Sequence, residues 1–270
     1  MFSKPYTYAP AGIFSVCHFV LLFITLGLIA LGLFLSRNLS KDQSMKVLKI
    51  IAIITVCLEV IKDIYQIITF GFSGIEHYLP LYFCSIFLFA ICMASFGKGE
   101  IKNLGLNFLS TAGILAGLCY LVFPNTSLKT YPVFHFIAMH SFTFHGFMIY
   151  SGILILIKGL YTPKLKDMWK YFVFVTAICL IALGVNLISG KNFMFVSEPV
   201  EFWPCPQIYE ISHVLYTISF IIGQNLGCYF IAFGLYKLIS LIVAKSKQSK
   251  QEKTIKSTLN LDEDEEVKQN

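Results

Sequence analysis

Charge is scarce in this 270-residue chain. Asp, Glu, Lys and Arg together make up 13% of it, and Arg37 is the single arginine. Soluble domains carry about 25% charged residues, so a water-facing shell around one core is excluded. No Gly-rich phosphate loop, G-x-S-x-G elbow or H-E-x-x-H helix occurs, which removes the commonest nucleotide-binding, serine-hydrolase and zinc-protease readings. The eight cysteines (17, 57, 84, 92, 119, 179, 205 and 228) are scattered, with no C-x-x-C pair. Neither a disulfide framework nor a metal site is expected from them, and no cofactor motif replaces them. The two halves show no repeat with paired broken helices, the mark of many secondary transporters. A cleavable signal is also missing: the first apolar run, 11–36, is too long for a signal core and lacks a small-residue cleavage site, so it is expected to stay as an anchor.

What fills the chain instead is apolar. Hydrophobic residues make up 56% of it, and the mean hydropathy is +0.72. Seven apolar runs can be drawn, at 11–36, 47–72, 78–96, 104–123, 132–158, 169–188 and 213–243. Each is long enough to cross a bilayer, which takes about 20 helical residues. In lipid only helices and closed barrels satisfy their own backbone, and runs of this length exclude barrel strands. The expected fold is therefore all-α: a polytopic bundle of seven transmembrane helices over residues 1–243, multi-pass in the cell membrane. A charged tail follows at 244–270, Lys-rich and then acidic at Asp262, Glu263, Asp264, Glu265 and Glu266. It has no apolar periodicity and is expected to be disordered.

The net charge of +6 is a topology signal and no sign of a nucleic-acid partner, because the cations sit between apolar runs. Arg37, Lys41, Lys46 and Lys49 follow the first run, Lys98 and Lys102 the third, and Lys158, Lys164, Lys166 and Lys170 the fifth; seven more lie from Lys237 onward. Only Lys4, Lys129 and Lys191 fall on the other side. The positive-inside rule then places the N-terminus outside and the C-terminus inside. Lysine so far in excess of arginine, with abundant Phe and Ile, hints at an AT-rich bacterial genome. The connection at 189–212, with Glu198, Glu201, Glu210, Trp203 and two prolines, is expected to form an ordered outer lid.

Polar residues inside the runs are few. The fifth run carries His135, His140 and His145, half of the histidines. Ionisable groups at membrane depth are costly and by default mark a functional site. A spacing of five rotates successive histidines by about 140°, and it fails the i, i+4 pattern of two helical metal ligands. His135, near the outer boundary, is expected at headgroup level. The second run holds Glu59, Lys62, Asp63 and Gln66, three or four apart and so on one helix face. Two carboxylates around an ammonium cannot face lipid. That face forms either a structural ion network or the floor of a ligand site. Cys84 lies about one turn into the third run. A lone membrane cysteine is most often packing, but a thiol beside a histidine is the pair that generates a nucleophilic thiolate. Counted from Pro132, His140 lies nearer its depth than His145. His213, Tyr216, Gln224 and Asn225 add polar groups to the last run, where interhelical hydrogen bonds are their simplest use.

Four segments in order resemble one family. LPLYFCS in the third run, the YP…HG stretch ending at His145–Gly146, the YTP turn at 161–163 and NFMFVSEP at 192–199 together look like the YwaF-like bacterial integral membrane proteins. The likeness spans roughly residues 45 to 240. Eukaryotic relatives of that family include a transmembrane cysteine acyltransferase of ether phospholipids. The resemblance implies Cys84 as the acyl-accepting nucleophile, His145 as its base and membrane lipids as partners. It also draws Asn192, in the NFMFVSEP motif, into the binding set with Glu59, Lys62, Asp63, Gln66 and Gln224. The Cys–His spacing is longer here than in that relative, and His140 stands as a second base. A transporter or small-molecule sensor using Glu59, Lys62 and Asp63 is the alternative; neither the substrate nor the oligomeric state is legible.

Overall fold

In a computed structural model, residues 2–201, 203–246 and 248 are described. They form helices and connections, with no strand among them. Of the tail expected at 244–270, residue 247 and residues 249–270 lie outside the described part, and residues up to Ser246 continue the last helix.

Among the described residues ten α-helices are labelled, and helix continues over 228–246. They are α1 (Val16–Leu35), α2 (Lys41–Phe70), the short α3 (Ile75–Tyr78), α4 (Ile86–Phe96), α5 (Gly99–Phe108), α6 (Ile114–Val122), α7 (Phe136–Ile157), α8 (Met168–Ser189), α9 (Cys205–Ile211) and α10 (His213–Ile222). α5 runs into α6 through a π turn at Leu109–Gly113, and α10 continues through a second at Gly223–Gly227. Local chemistry sets the ends. Ser15 accepts from the His18 amide at the start of α1, and Ser40 with Gln43 forms a capping box at the start of α2. Gly71 and Gly190, both at positive φ, end α2 and α8.

Two runs start later than their apolar composition suggests. The third is extended at Leu79 and Tyr82, and turns helical only at Phe83; Pro80 disfavours helical geometry at the residue before it. The fifth is a turn from Pro132 to His135, whose ring accepts from the Ile137 amide, so α7 begins at Phe136. Among the described residues five helices are long and apolar enough to cross a membrane: Val16–Asn38, Gly99–Val122, Phe136–Ile157, Leu165–Ser189 and His213–Ser246. α2 is longer than any membrane requires but carries Glu59, Lys62 and Asp63, and the apolar helix at Phe83–Phe96 is short.

Burial sorts these helices. The apolar windows of Gly99–Val122 and Phe136–Ile157 are 72% and 67% buried, against 22%, 28% and 11% for the first, fourth and last. Two helices thus form the centre, and the others turn Phe23, Leu187, Ile188 and their like outward, where lipid and not water suits them. Close approach holds the centre together. A Cβ on Gly105 would come within 2.5 Å of both Ala90 O and Ala94 N, backbone atoms of α4. On Gly27, in α1, it would meet nothing. Gly105→Ala is expected to push α4 and α5 apart and cost about 1–3 kcal/mol, with Gly27→Ala neutral or slightly stabilising. Thermal unfolding in detergent checks the pair; equal melting points would mean that the α4–α5 contact is not tight.

Candidate functional site

One cavity of 540 Å³ opens between α2, the start of α4, α6 and α7. Glu59, Lys62 and Gln66 line it from α2, Cys84 and Ser85 from the start of α4, Tyr120 from α6, and His140, Ser141, Phe144 and His145 from α7. On α7 the lining positions 137, 141 and 144 form the middle of one face. His140 and His145 flank it about 140° apart, so each imidazole reaches a different wall.

The His140 wall is ionic. Lys62 Nζ donates to Glu59 Oε1 at 2.5 Å and lies 3.2 Å from Asp63 Oδ1. His140 Nε2 lies 3.3 Å from Glu59 Oε2, within ion-pair distance but off hydrogen-bond alignment. Glu59 and His140 are 5% and 7% exposed, too little for water to screen them. The three formal charges of Glu59, Lys62 and Asp63 sum to −1, with the His140 imidazole beside them. The helix spacing of α2 turns the whole set inward toward α7.

The His145 wall is aromatic. Its ring stacks on Tyr120 at 3.6 Å between centroids and 6° between planes, and Tyr120 Oη is bonded to Ser127 Oγ at 2.7 Å. His145 Nδ1–H donates to the Ser141 carbonyl at 2.7 Å. That bond assigns the proton to Nδ1 and leaves Nε2, buried and without a hydrogen-bond partner, as a free lone pair. Cys84 sits in a 3₁₀ turn, Phe83–Ser85, that leads into α4. The thiol is thus at a helix start, and not one turn inside a helix as the apolar run suggests. Among the described residues no hydrogen bond joins Cys84 Sγ to either imidazole.

The rim is built by connections. Glu76, His77 and Leu79 line the cavity from the α2–α4 connection, and Phe195 from the 193–195 turn. Lys191 Nζ donates to Glu76 Oε1 at 2.6 Å and clasps the two segments together. Burial pushes the Glu76 carboxyl up, but the hydrogen bond and charge of Lys191 outweigh it and hold the group below its ordinary value.

Three of the sequence-derived residues do not line the cavity. Asp63 lies beyond Lys62. Asn192 spends its amide within its own turn, accepting from Ser197 N and Glu198 N and donating to Glu198 O. Gln224 donates to Cys179 Sγ, joining the last helix to α8. His135, expected at the headgroups, is 1% exposed and bonded to Ser3 and Tyr65, covered by the N-terminal segment. Tyr120, Glu76 and Lys191 escaped the sequence reading. A tyrosine in an apolar run carries no spacing signal, and the clasp joins residues 115 positions apart.

No curated protein and no solved structure matches the chain. The model of the TMEM164 family matches residues 13–245, most of its length, and the chain therefore belongs to the TMEM164 family.

Proposed function

We propose that the chain is a seven-span protein of the cell membrane that transfers acyl groups between lipids through Cys84. The observation that carries the reading is that Cys84, His140, His145 and the Glu59–Lys62 pair line one cavity. His145 also presents an unpartnered Nε2 there. The resemblance of the LPLYFCS and YP…HG segments to the YwaF-like proteins and their acyltransferase relative supports it.

The chemistry would run in two balanced halves. His145 Nε2 takes the Cys84 S–H proton, and the thiolate attacks the ester carbonyl of a lipid donor. The C–O bond breaks, and the leaving oxygen takes the proton back from the imidazolium, giving a thioester and a lyso-lipid. A lyso-lipid hydroxyl then gives its proton to His145 and attacks the thioester, releasing the thiol and a new ester. Hydroxylamine-sensitive acyl labelling of purified protein tests this: label on Cys84, lost in Cys84→Ala, is expected. Label that persists in Cys84→Ala would sink the reading.

The polar wall favours a second reading, a transporter or sensor that binds a small polar ligand at Glu59, Lys62 and Gln66, whose Oε1 is buried without a partner. In that case Cys84→Ala leaves function intact.

The seven spans are the five long apolar helices together with α2 and the segment at 83–96. Basic residues alternate between the connections, so the N-terminus is outside and the Lys-rich connections inside. A cysteine placed at Lys164 is expected to resist an impermeant reagent added outside. Its modification from that side would reverse the orientation.

A further inference from the structure

A second cavity, of 610 Å³, lies at the other end of the bundle. α4 runs from the Cys84 turn to Phe96, so the cavity beyond it, between the start of α5 and the Gly159–Asp167 connection, is separate from the first. Lys164, Lys166 and Lys170 line it, against Glu100 and Asp167. The two acids are already engaged. Lys170 donates to Glu100, and the Tyr161 hydroxyl donates to Asp167 Oδ2 at 2.8 Å. Burial, and then that bond to Asp167, raise the Tyr161 phenol well above its ordinary value, so it stays a donor. Lys164 and Lys166 have no ion-pair partner among the described residues.

The pocket is also built, not incidental. Tyr229, fully buried on the last helix, donates to the Lys164 carbonyl at 2.9 Å. Asn107 on α5 donates to the Asp167 carbonyl at 3.3 Å. These bonds pin the lysine-bearing turn to two helices.

We infer that this cavity binds a phosphate-bearing anion, held by Lys164 and Lys166. A cation is disfavoured, because both carboxylates are spent on internal donors while two ammonium groups are not. The phosphate could belong to a lipid headgroup, since basic pockets between membrane helices take anionic headgroups, or to a soluble phosphate compound.

The test uses the full chain in lipid nanodiscs, with the melting midpoint as readout. One arm titrates pyrophosphate in phosphatidylcholine discs; the other raises the phosphatidylglycerol fraction without it. A saturable rise in the midpoint is expected. A rise in the lipid arm alone assigns a headgroup, and a rise with pyrophosphate assigns phosphate itself. Each lysine near an anionic group contributes roughly fivefold in affinity. Lys164→Ala/Lys166→Ala should therefore weaken the response by roughly thirtyfold, while Lys46→Ala/Lys49→Ala, on the same side but outside the cavity, should leave it unchanged. Lys164→Gln/Lys166→Gln repeats the test if the alanine pair does not fold. Equal losses in the two double variants, or no saturable rise in either arm, would overturn the site.

Discussion

Acyl transfer is expected to vanish in Cys84→Ala and to fall by about 10²–10⁴ in His145→Ala. The two histidines line the same cavity but do not occupy equivalent positions. His145 has Nδ1 committed to the Ser141 carbonyl and Nε2 unpartnered, the arrangement a general base needs. Tyr120 stacked on its ring keeps the imidazole from swinging away. His140 instead faces Glu59, and its removal acts first on the ionic wall. His140→Ala should therefore lower stability and binding more than the rate of thioester formation. Single-turnover labelling with a lipid donor, read in parallel with melting points, separates the two roles. Should His140→Ala abolish labelling in a protein that melts normally while His145→Ala labels at the wild-type rate, the base has been assigned to the wrong imidazole.

The largest stability effect is expected from Lys62→Met. Among the described residues Lys62 is the only lysine or arginine paired with Glu59 and Asp63, and the side chains of Lys62 and Glu59 are 15% and 7% exposed. Removing it leaves two carboxylates facing each other with no ammonium between them. Breaking a buried ion pair from one side costs about 3–5 kcal/mol in soluble proteins, and the Lys62 side chain is only partly buried, which places the expectation toward the lower end. Protonation of Glu59 or Asp63 would relieve part of the loss, so the variant should recover stability as the pH is lowered. The triple change Glu59→Gln/Lys62→Met/Asp63→Asn removes all three charges together and should be less destabilising than Lys62→Met alone. Melting points in detergent across pH decide it. A Lys62→Met protein as stable as wild type would place this lysine in bulk water, outside any ionic wall.

Composition by itself determined that this chain is an all-α membrane protein. The reason is general: a backbone in hydrocarbon has no water to bond, so long apolar runs become helices whatever surrounds them. Spacing placed Glu59, Lys62, Asp63 and Gln66 on one helix face, because intervals of three and four are a property of the helix alone, although Asp63 does not line the cavity. Where each run begins was less legible. Pro80 and Pro132 delay two helices to Phe83 and Phe136, which moves Cys84 from a helix interior to a helix start and voids a depth count made from Pro132. Only the tertiary structure decided which polar groups meet. Cys84 and the α7 histidines are more than fifty residues apart, and the Lys191–Glu76 clasp joins segments 115 apart. The rotation of each helix about its axis, which sends Gln224 to Cys179 on α8 and brings Tyr120 onto His145, is set by packing at contacts such as Gly105 on Ala90. Close packing depends on the shapes of both surfaces at once, and one run read alone holds only half of each.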